Sequence, residues 1–255
     1  MSHLPGKFIW FEHVASDLGK ARAFYQPLFN WHIEPMPMGE QTYHMILNGN
    51  EGIGGFRAAR PGEGAHWASY LSVNNVDASF RAATAAGAKP LAAPADFPPV
   101  GRGAALQDPT GALLWLWRSH DGDRPDTSPT PTGDWYWNEL CTHDARKALA
   151  FYEAVFGYGH DVMTLPDQGL YYVLKGRDGH PRAGLFQSHE AGSAPAWLPY
   201  VAVADCDASA AEARRLGARA IAVPPTDIPG VGRFAVLIDP FGAQLALIKP
   251  VAPTA

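Results

Sequence analysis

Residues 8–29 read FIWFEHVASDLGKARAFYQPLF, and residues 135–156 read WYWNELCTHDARKALAFYEAVF. Laid together without a gap, Trp10 falls on Trp137, Glu12 on Glu139, Asp17 on Asp144 and Lys20 on Lys147. Ala21 falls on Ala148, Phe24-Tyr25 on Phe151-Tyr152, and Phe29 on Phe156. Every pair stands at the same offset. Matches this dense mark an internal duplication, and a duplication decides the architecture before any single element does.

The match resumes downstream. Trp67 and Tyr70 correspond to Trp197 and Tyr200, Asp77-Ala78 to Asp207-Ala208, and Gly87-Ala88 to Gly217-Ala218. Gly101-Arg102 corresponds to Gly232-Arg233, and Asp108-Pro109-x-Gly111 to Asp239-Pro240-x-Gly242. Between the copies, Ser119 to Gly133 is rich in Asp, Gly, Pro and Thr and reads as a solvated linker. In each copy a short apolar strand, Phe8 to Ala15 in the first, precedes a helical stretch. Ala148, Phe151, Tyr152, Val155 and Phe156 recur as one face of a helix packed on a sheet. Asp17 and Asp144 suit N-caps, Gly87 and Gly217 suit C-caps, and Pro27 weakens the first helix's last turn. Further strands are expected at Tyr43 to Asn48, Gly52 to Phe56, Trp67 to Val73, Ala104 to Gln107 and Ala112 to Trp117, with a helix at Asp77 to Ala86. The division is residues 6–118 (modules 8–60 and 65–118), a linker at 119–133, and residues 134–250 (modules 134–188 and 196–250).

Composition narrows the function. The chain has 255 residues, 47% hydrophobic and 18% charged, with a net charge of −5, so a sizeable core is available. An acidic chain without Lys/Arg runs is not expected to bind nucleic acid or an anionic membrane. Met1 to Trp10 lacks the pattern of a secretion signal, the run Ala112 to Trp117 is too short to span a bilayer, and the only cysteines are Cys141 and Cys206. The expectation is a soluble cytoplasmic protein with reduced thiols.

The Asp–Ala–Phe-Tyr–Phe series on the first helix of each copy, together with a late Asp-Pro-x-Gly, resembles the vicinal-oxygen-chelate superfamily of glyoxalases, bleomycin-resistance proteins and extradiol dioxygenases. The resemblance implies an α+β fold with tandem glyoxalase-type domains. Each domain would be two βαβββ modules forming a U-shaped, mostly antiparallel, eight-stranded open barrel. It also implies a divalent metal in the cleft, held by His, Glu or Gln at three strand positions and acting as a Lewis acid. Those positions fall at Trp10, Ala68 and Trp115, and at Trp137, Leu198 and Ala246. None of the six side chains can ligate a metal, so no metal or other cofactor is expected.

Strand alternation then lines one cleft with Trp10, Glu12, Ala68, Tyr70, Trp115 and Trp117, and the other with Trp137, Glu139, Leu198, Tyr200, Ala246 and Ile248. Such hollows suit a flat or amphipathic small molecule. Glu139 or Glu12 would serve as acid or base if the protein is catalytic. The plainer reading is that Glu12 bonds Tyr70 and Glu139 bonds Tyr200, with tryptophans filling the barrels. The competing functional reading is a metal-dependent lyase, isomerase or dioxygenase with a displaced site, for which His66 beside Glu12 is the candidate. Arg102 and Arg233 follow Gly in a loop and read as turn arginines or as attractors of an anion. His44, His160, His180 and His189 share no metal spacing. The partner is a small molecule, and the chain is a monomer or a homodimer.

Overall fold

The computed structural model describes residues 2–38, 41–165, 169–190 and 192–251. Four modules of like order follow one another. The first is Phe8–Ala15 (β1), Leu18–Phe29 (α1), His32–Met38 (β2), Gln41–Asn48 (β3) and Glu51–Ala58 (β4). The second is His66–Ser72 (β5), Val76–Ala85 (α2), Lys89–Phe97 (β6), Gly101–Gln107 (β7) and Leu113–Ser119 (β8). The third is Trp135–Thr142 (β9), Ala145–Phe156 (α3), Gly159–Leu165 (β10), Gly169–Lys175 (β11) and Pro181–Gln187 (β12). The fourth is Ala196–Ala202 (β13), Cys206–Arg215 (α4), Ala220–Ile228 (β14), Gly232–Ile238 (β15) and Gln244–Pro250 (β16).

The strands form two eight-stranded sheets, ordered β2-β3-β4-β1-β5-β8-β7-β6 and β10-β11-β12-β9-β13-β16-β15-β14. Within each module the outer strands are antiparallel, while its first and last strands pair in parallel. This is the expected α+β tandem. No helix of the described residues is long and apolar enough to cross a membrane.

Two details of the sequence reading change. Strands β2 and β6, which carry Pro35, Pro37, Pro90 and Pro94, are not among the strands expected from the sequence. Both strands lie at a sheet edge, where a residue without an N–H costs no ladder bond on its outer side. Helix α1 runs two residues past Pro27 and closes on Asn30 in the left-handed region, φ 55°. Asp17 and Asp144 cap their helices by accepting from the amides of Lys20 and Lys147, both at 3.0 Å. The second helix starts one residue early, on an Asn75 cap.

Compact units do not follow the two copies. One unit holds Met1–Trp10, Ala68–Pro125 and Trp137–Trp197, and the other holds Phe11–Trp67, Asp126–Tyr136 and Leu198–Ala255. Helices α2 and α3 pack together in the former, and α1 and α4 in the latter.

Each unit is centred on the same buried polar chain. In the first, one oxygen of Asp108 accepts the amides of Thr110, Gly111 and Ala112 at 2.7–3.1 Å, closing the Asp-Pro-x-Gly turn. Its other oxygen accepts from the Tyr152 hydroxyl at 2.9 Å, and that hydroxyl accepts from Nε1 of Trp197 at 3.1 Å. In the second unit Asp239, Tyr25 and Trp67 repeat the chain at 3.0 and 3.0 Å. Here the turn carboxylate also bonds Nε2 of His13 at 2.7 Å, where the first unit has Leu140. The stretch read as a solvated linker contributes to these cores: Asp123 is buried and accepts from the amide of Leu4 and the hydroxyl of Ser72, at 2.6 and 2.5 Å.

Candidate functional site

From Trp137 onward strand β9 alternates. Asn138, Leu140 and Thr142 are buried, while Trp137, Glu139 and Cys141 on the opposite face are half-buried. The neighbouring strands continue that face. Gly184 of β12 is the cross-strand partner of Glu139, and Phe186 that of Cys141. On β11, Tyr171 is the partner of Phe186, and the two rings stack with centroids 6.4 Å apart. Trp137, Tyr171, Val173 and Phe186 are all half-buried, each keeping part of its side chain open.

Three of these groups form a hydrogen-bonded series. Nε1 of Trp137 donates to the Tyr171 hydroxyl at 2.9 Å, and the hydroxyl hydrogen-bonds the Glu139 carboxylate. Burial first, and then the charge of Glu139, push the Tyr171 phenol far above its ordinary range, so it stays protonated and acts as the donor. Burial also raises the Cys141 thiol, opposed by Ser188 and assisted by Glu139. A protonated thiol is a poor nucleophile. Gly184 makes the geometry possible, because a β-carbon there would stand 1.9 Å from the tyrosine oxygen.

The counterpart carboxylate is differently placed. Glu12 accepts from Nε of Arg57 at 3.0 Å, and Arg57 also holds Glu63 through a fork at 2.8 and 2.9 Å. Glu12 is 5% exposed. Arg57 pulls Glu63 down to about 2. In the third module Phe186 stands at the position of Arg57. Tyr43 sits over Gly55 as Tyr171 sits over Gly184, with 2.1 Å between the tyrosine oxygen and an added β-carbon.

Of the other expected lining residues, Tyr70, Trp115 and Trp117 come together. Tyr70 and Trp115 stack at 5.1 Å and 7°, Trp117 meets Tyr70 edge-on at 5.7 Å, and Phe97 closes on both indoles. Ala68 is buried and Trp10 half-buried. In the fourth module Tyr200 stacks on Phe234 at 6.4 Å, Ala246 and Ile248 are buried and Leu198 is half-buried. Volume is exchanged across a strand pair. Trp117 faces Gly103 in one copy, and Ile248 faces Phe234 in the other. Nδ1 of His66 donates to the Gly64 carbonyl in its own loop, 2.9 Å away. Arg102 and Arg233 are structural ties, not turn-rim cations: Arg102 holds Asp77 and Asp96, and Arg233 holds Asp207 and Asp227.

Sequence reasoning named Trp137 and Glu139 but passed over Tyr171, Gly184 and Phe186. The duplication held the signal, since Tyr43 and Gly55 recur as Tyr171 and Gly184. A glycine inside a strand marks a close approach.

The sequence profile of the Glyoxalase/Bleomycin resistance protein/Dioxygenase superfamily matches residues 7–116, and that of the Glyoxalase-like domain matches residues 138–248. A protein of Mycobacterium tuberculosis named "Putative glyoxylase CFP32" is 37% identical over 249 residues, 94% of each chain. This chain belongs to the glyoxalase/bleomycin resistance/dioxygenase superfamily. A further relative, the anthracycline biosynthesis protein DauV of Streptomyces sp., is 28% identical over 96% of this chain and 94% of that one. Among solved structures, the Mn(II)-bound glyoxalase of Novosphingobium aromaticivorans shares the fold, with a TM-score of 0.66 at 17% identity over 99% of this chain and 84% of the other.

A superfamily metal does not fit the side chains at its expected positions. Trp10, Trp115 and Trp137 offer indole N–H donors, and Ala68, Leu198 and Ala246 offer hydrocarbon. Among the described residues no three of His, Cys, Asp and Glu converge, and Glu12, the partner expected for His66 in a displaced site, is held by Arg57.

Proposed function

We propose that the chain binds a flat aromatic or amphipathic small molecule, without a metal, in the recess around Trp137, Glu139, Tyr171 and Phe186. One observation carries the reading: three adjacent strands present half-buried aromatic rings, each partly open, on a single face around one carboxylate. Aromatic faces left open to this extent suit stacking on a planar partner. Glu139 provides the fixed acceptor that orients a ligand hydroxyl or ammonium group. The exchange of Arg57 for Phe186 supports the choice of this copy, because it replaces a carboxylate-binding cation with more ring surface. Relatives named for anthracycline biosynthesis fit a fused-ring ligand bearing hydroxyl groups.

The test is a tryptophan-fluorescence titration with a dihydroxyanthraquinone probe. Saturable quenching is expected, weakened about tenfold or more by E139Q, since a charge-assisted hydrogen bond is then reduced to a neutral one. Quenching that is absent, or identical in E139Q and W137A, overturns the assignment. Elemental analysis after incubation with zinc, nickel, iron and manganese and then desalting tests the metal-free part. Near-stoichiometric retention overturns it.

A further inference from the structure

A second recess lies in the unit that contains β6–β8, with a volume of about 370 Å³. Its polar wall is made by Arg118, Ser119 and His120 at the end of β8, by Arg102 and Asp96 on the neighbouring strands, and by His3. Trp117 and Arg118 are consecutive on one strand, so their side chains leave opposite faces of the sheet. Arg118 therefore reaches the recess from the face opposite Trp117.

The duplication separates what the wall does for the fold from what is left over. Arg102 ties the start of α2 to β6, through Asp77 at 2.8 Å and Asp96 at 2.8 Å. Arg233 makes the same tie through Asp207 and Asp227 at 2.6 and 3.0 Å, so that pair of bonds is architectural. The remainder is not repeated. Ser119-His120 is replaced by Pro250-Val251 in the other copy, and the recess has Arg118 where that copy has Lys249. His3 lies across the strand end, its Nε2 bonded to the Ser119 carbonyl at 2.9 Å. Arg118 has no hydrogen-bond or ion-pair partner among the described residues, although Asp96 in the same wall is engaged by Arg102. An unpaired guanidinium on a cavity wall offers a planar fork of donors to an oxyanion. Ser119 and His120 also line the recess, the His120 ring standing 3.6 Å from Asp121, and each carries a potential hydrogen-bond donor.

We propose that this recess is a binding site for a compact organic oxyanion, a carboxylate or a phosphomonoester, gripped by Arg118. The cavity is at the small end of the ligand-pocket range and suits a molecule of a few carbons.

Calorimetric titration of the full-length protein in phosphate-free buffer of low ionic strength tests this, with inorganic phosphate and succinate as separate probes. Saturable binding of one probe is expected. R118Q should weaken it about tenfold or more, R118K should fall between because it keeps the charge but not the fork, and K249Q should leave it unchanged. R118Q should unfold at the wild-type temperature, since Arg118 supports no other group. Saturation by phosphate identifies the phosphomonoester class, and saturation by succinate the carboxylate class. Failure of both probes to saturate the wild type, or equal affinity in R118Q, overturns the proposal.

Discussion

Gly184→Ala is the sharpest test of the Trp137–Tyr171–Glu139 series, because it adds one methyl group and removes no functional atom. The added carbon would stand 1.9 Å from the tyrosine oxygen, 2.6 Å from its Cζ and 2.8 Å from Nε1 of Trp137. Ordinary contact needs about 3.5 Å or more, so the phenol must retreat by roughly 1.5 Å. From there it reaches neither the Trp137 indole, now at 2.9 Å, nor Glu139. Two hydrogen bonds at about 1 kcal/mol each are lost, and overpacking adds about 1–3 kcal/mol. Removing a strand glycine returns about 0.5–1 kcal/mol. Tyr171 keeps part of its ring open and can swing outward, so the lower end applies, a net loss of about 2 kcal/mol. Urea unfolding reads that loss, and fluorescence quenching by the anthraquinone probe reads an affinity reduced more than about tenfold. Gly55→Ala is the matched control, because it displaces Tyr43 by the same clash. It should cost similar stability and leave probe affinity alone. Unchanged stability and affinity in G184A would refute the steric reasoning, and equal affinity losses in both variants would refute the choice of copy.

Other expectations follow from the buried networks. Tyr152→Phe leaves Nε1 of Trp197 and one oxygen of Asp108 buried without their shared partner, so chemical denaturation should show a loss of about 2–4 kcal/mol. Burial lowers the pKa of His13 despite the opposing hydrogen bond and charge of Asp239, with His66 a further lowering influence. The unfolded chain therefore takes up this proton first, and stability should fall as pH drops below 6.5 toward the folded-state pKa. In His13→Leu, which copies Leu140, the stability profile between pH 7 and 5 should be flatter, as followed by thermal unfolding. In Arg57→Gln, carboxyl NMR titration should find Glu63 returned from about 2 toward 4.5, its ordinary value.

The duplication made most of the fold legible. Two copies of one strand–helix pattern predict two like sheets, and the caps at Asp17 and Asp144 hold where the sequence puts them. Edge strands were missed because a proline carries the same local signal in a turn as at a sheet edge, and only strand order separates the two. The pairing of α1 with α4 and of α2 with α3 was likewise invisible, since it depends on contacts between modules far apart in the chain. At the candidate site Trp137 and Glu139 were readable from alternation along one strand. Tyr171 and Phe186 come from strands whose register with β9 had to be known first. Arg102 and Arg233 show what alternation along a strand leaves out. They read as turn arginines or as attractors of an anion, yet each is occupied by two aspartates.

Comparing the copies turns the molecule into its own control. Features present in both, such as the Asp–Tyr–Trp chains, the Arg ties and the Tyr-over-Gly contacts, are what this fold needs in order to close. Features present once have no such explanation. Arg57 neutralises Glu12, and its replacement by Phe186 beside Glu139 changes a salt-bridged wall into an aromatic one while the glycine and tyrosine beneath are kept. Trp117 over Gly103 and Phe234 beside Ile248 fill equivalent space with different shapes, so the second copy keeps its packing without a tryptophan. Function is therefore to be sought where the copies diverge in charge and exposure but not in backbone. The face around Glu139 meets that condition within the superfamily's own strands; the recess at Arg118 diverges through Ser119-His120 against Pro250-Val251, while the cation itself is kept as Lys249. If both sites bind, single substitutions at one should leave affinity at the other unchanged, because no residue is shared between them and sites without shared partners combine additively.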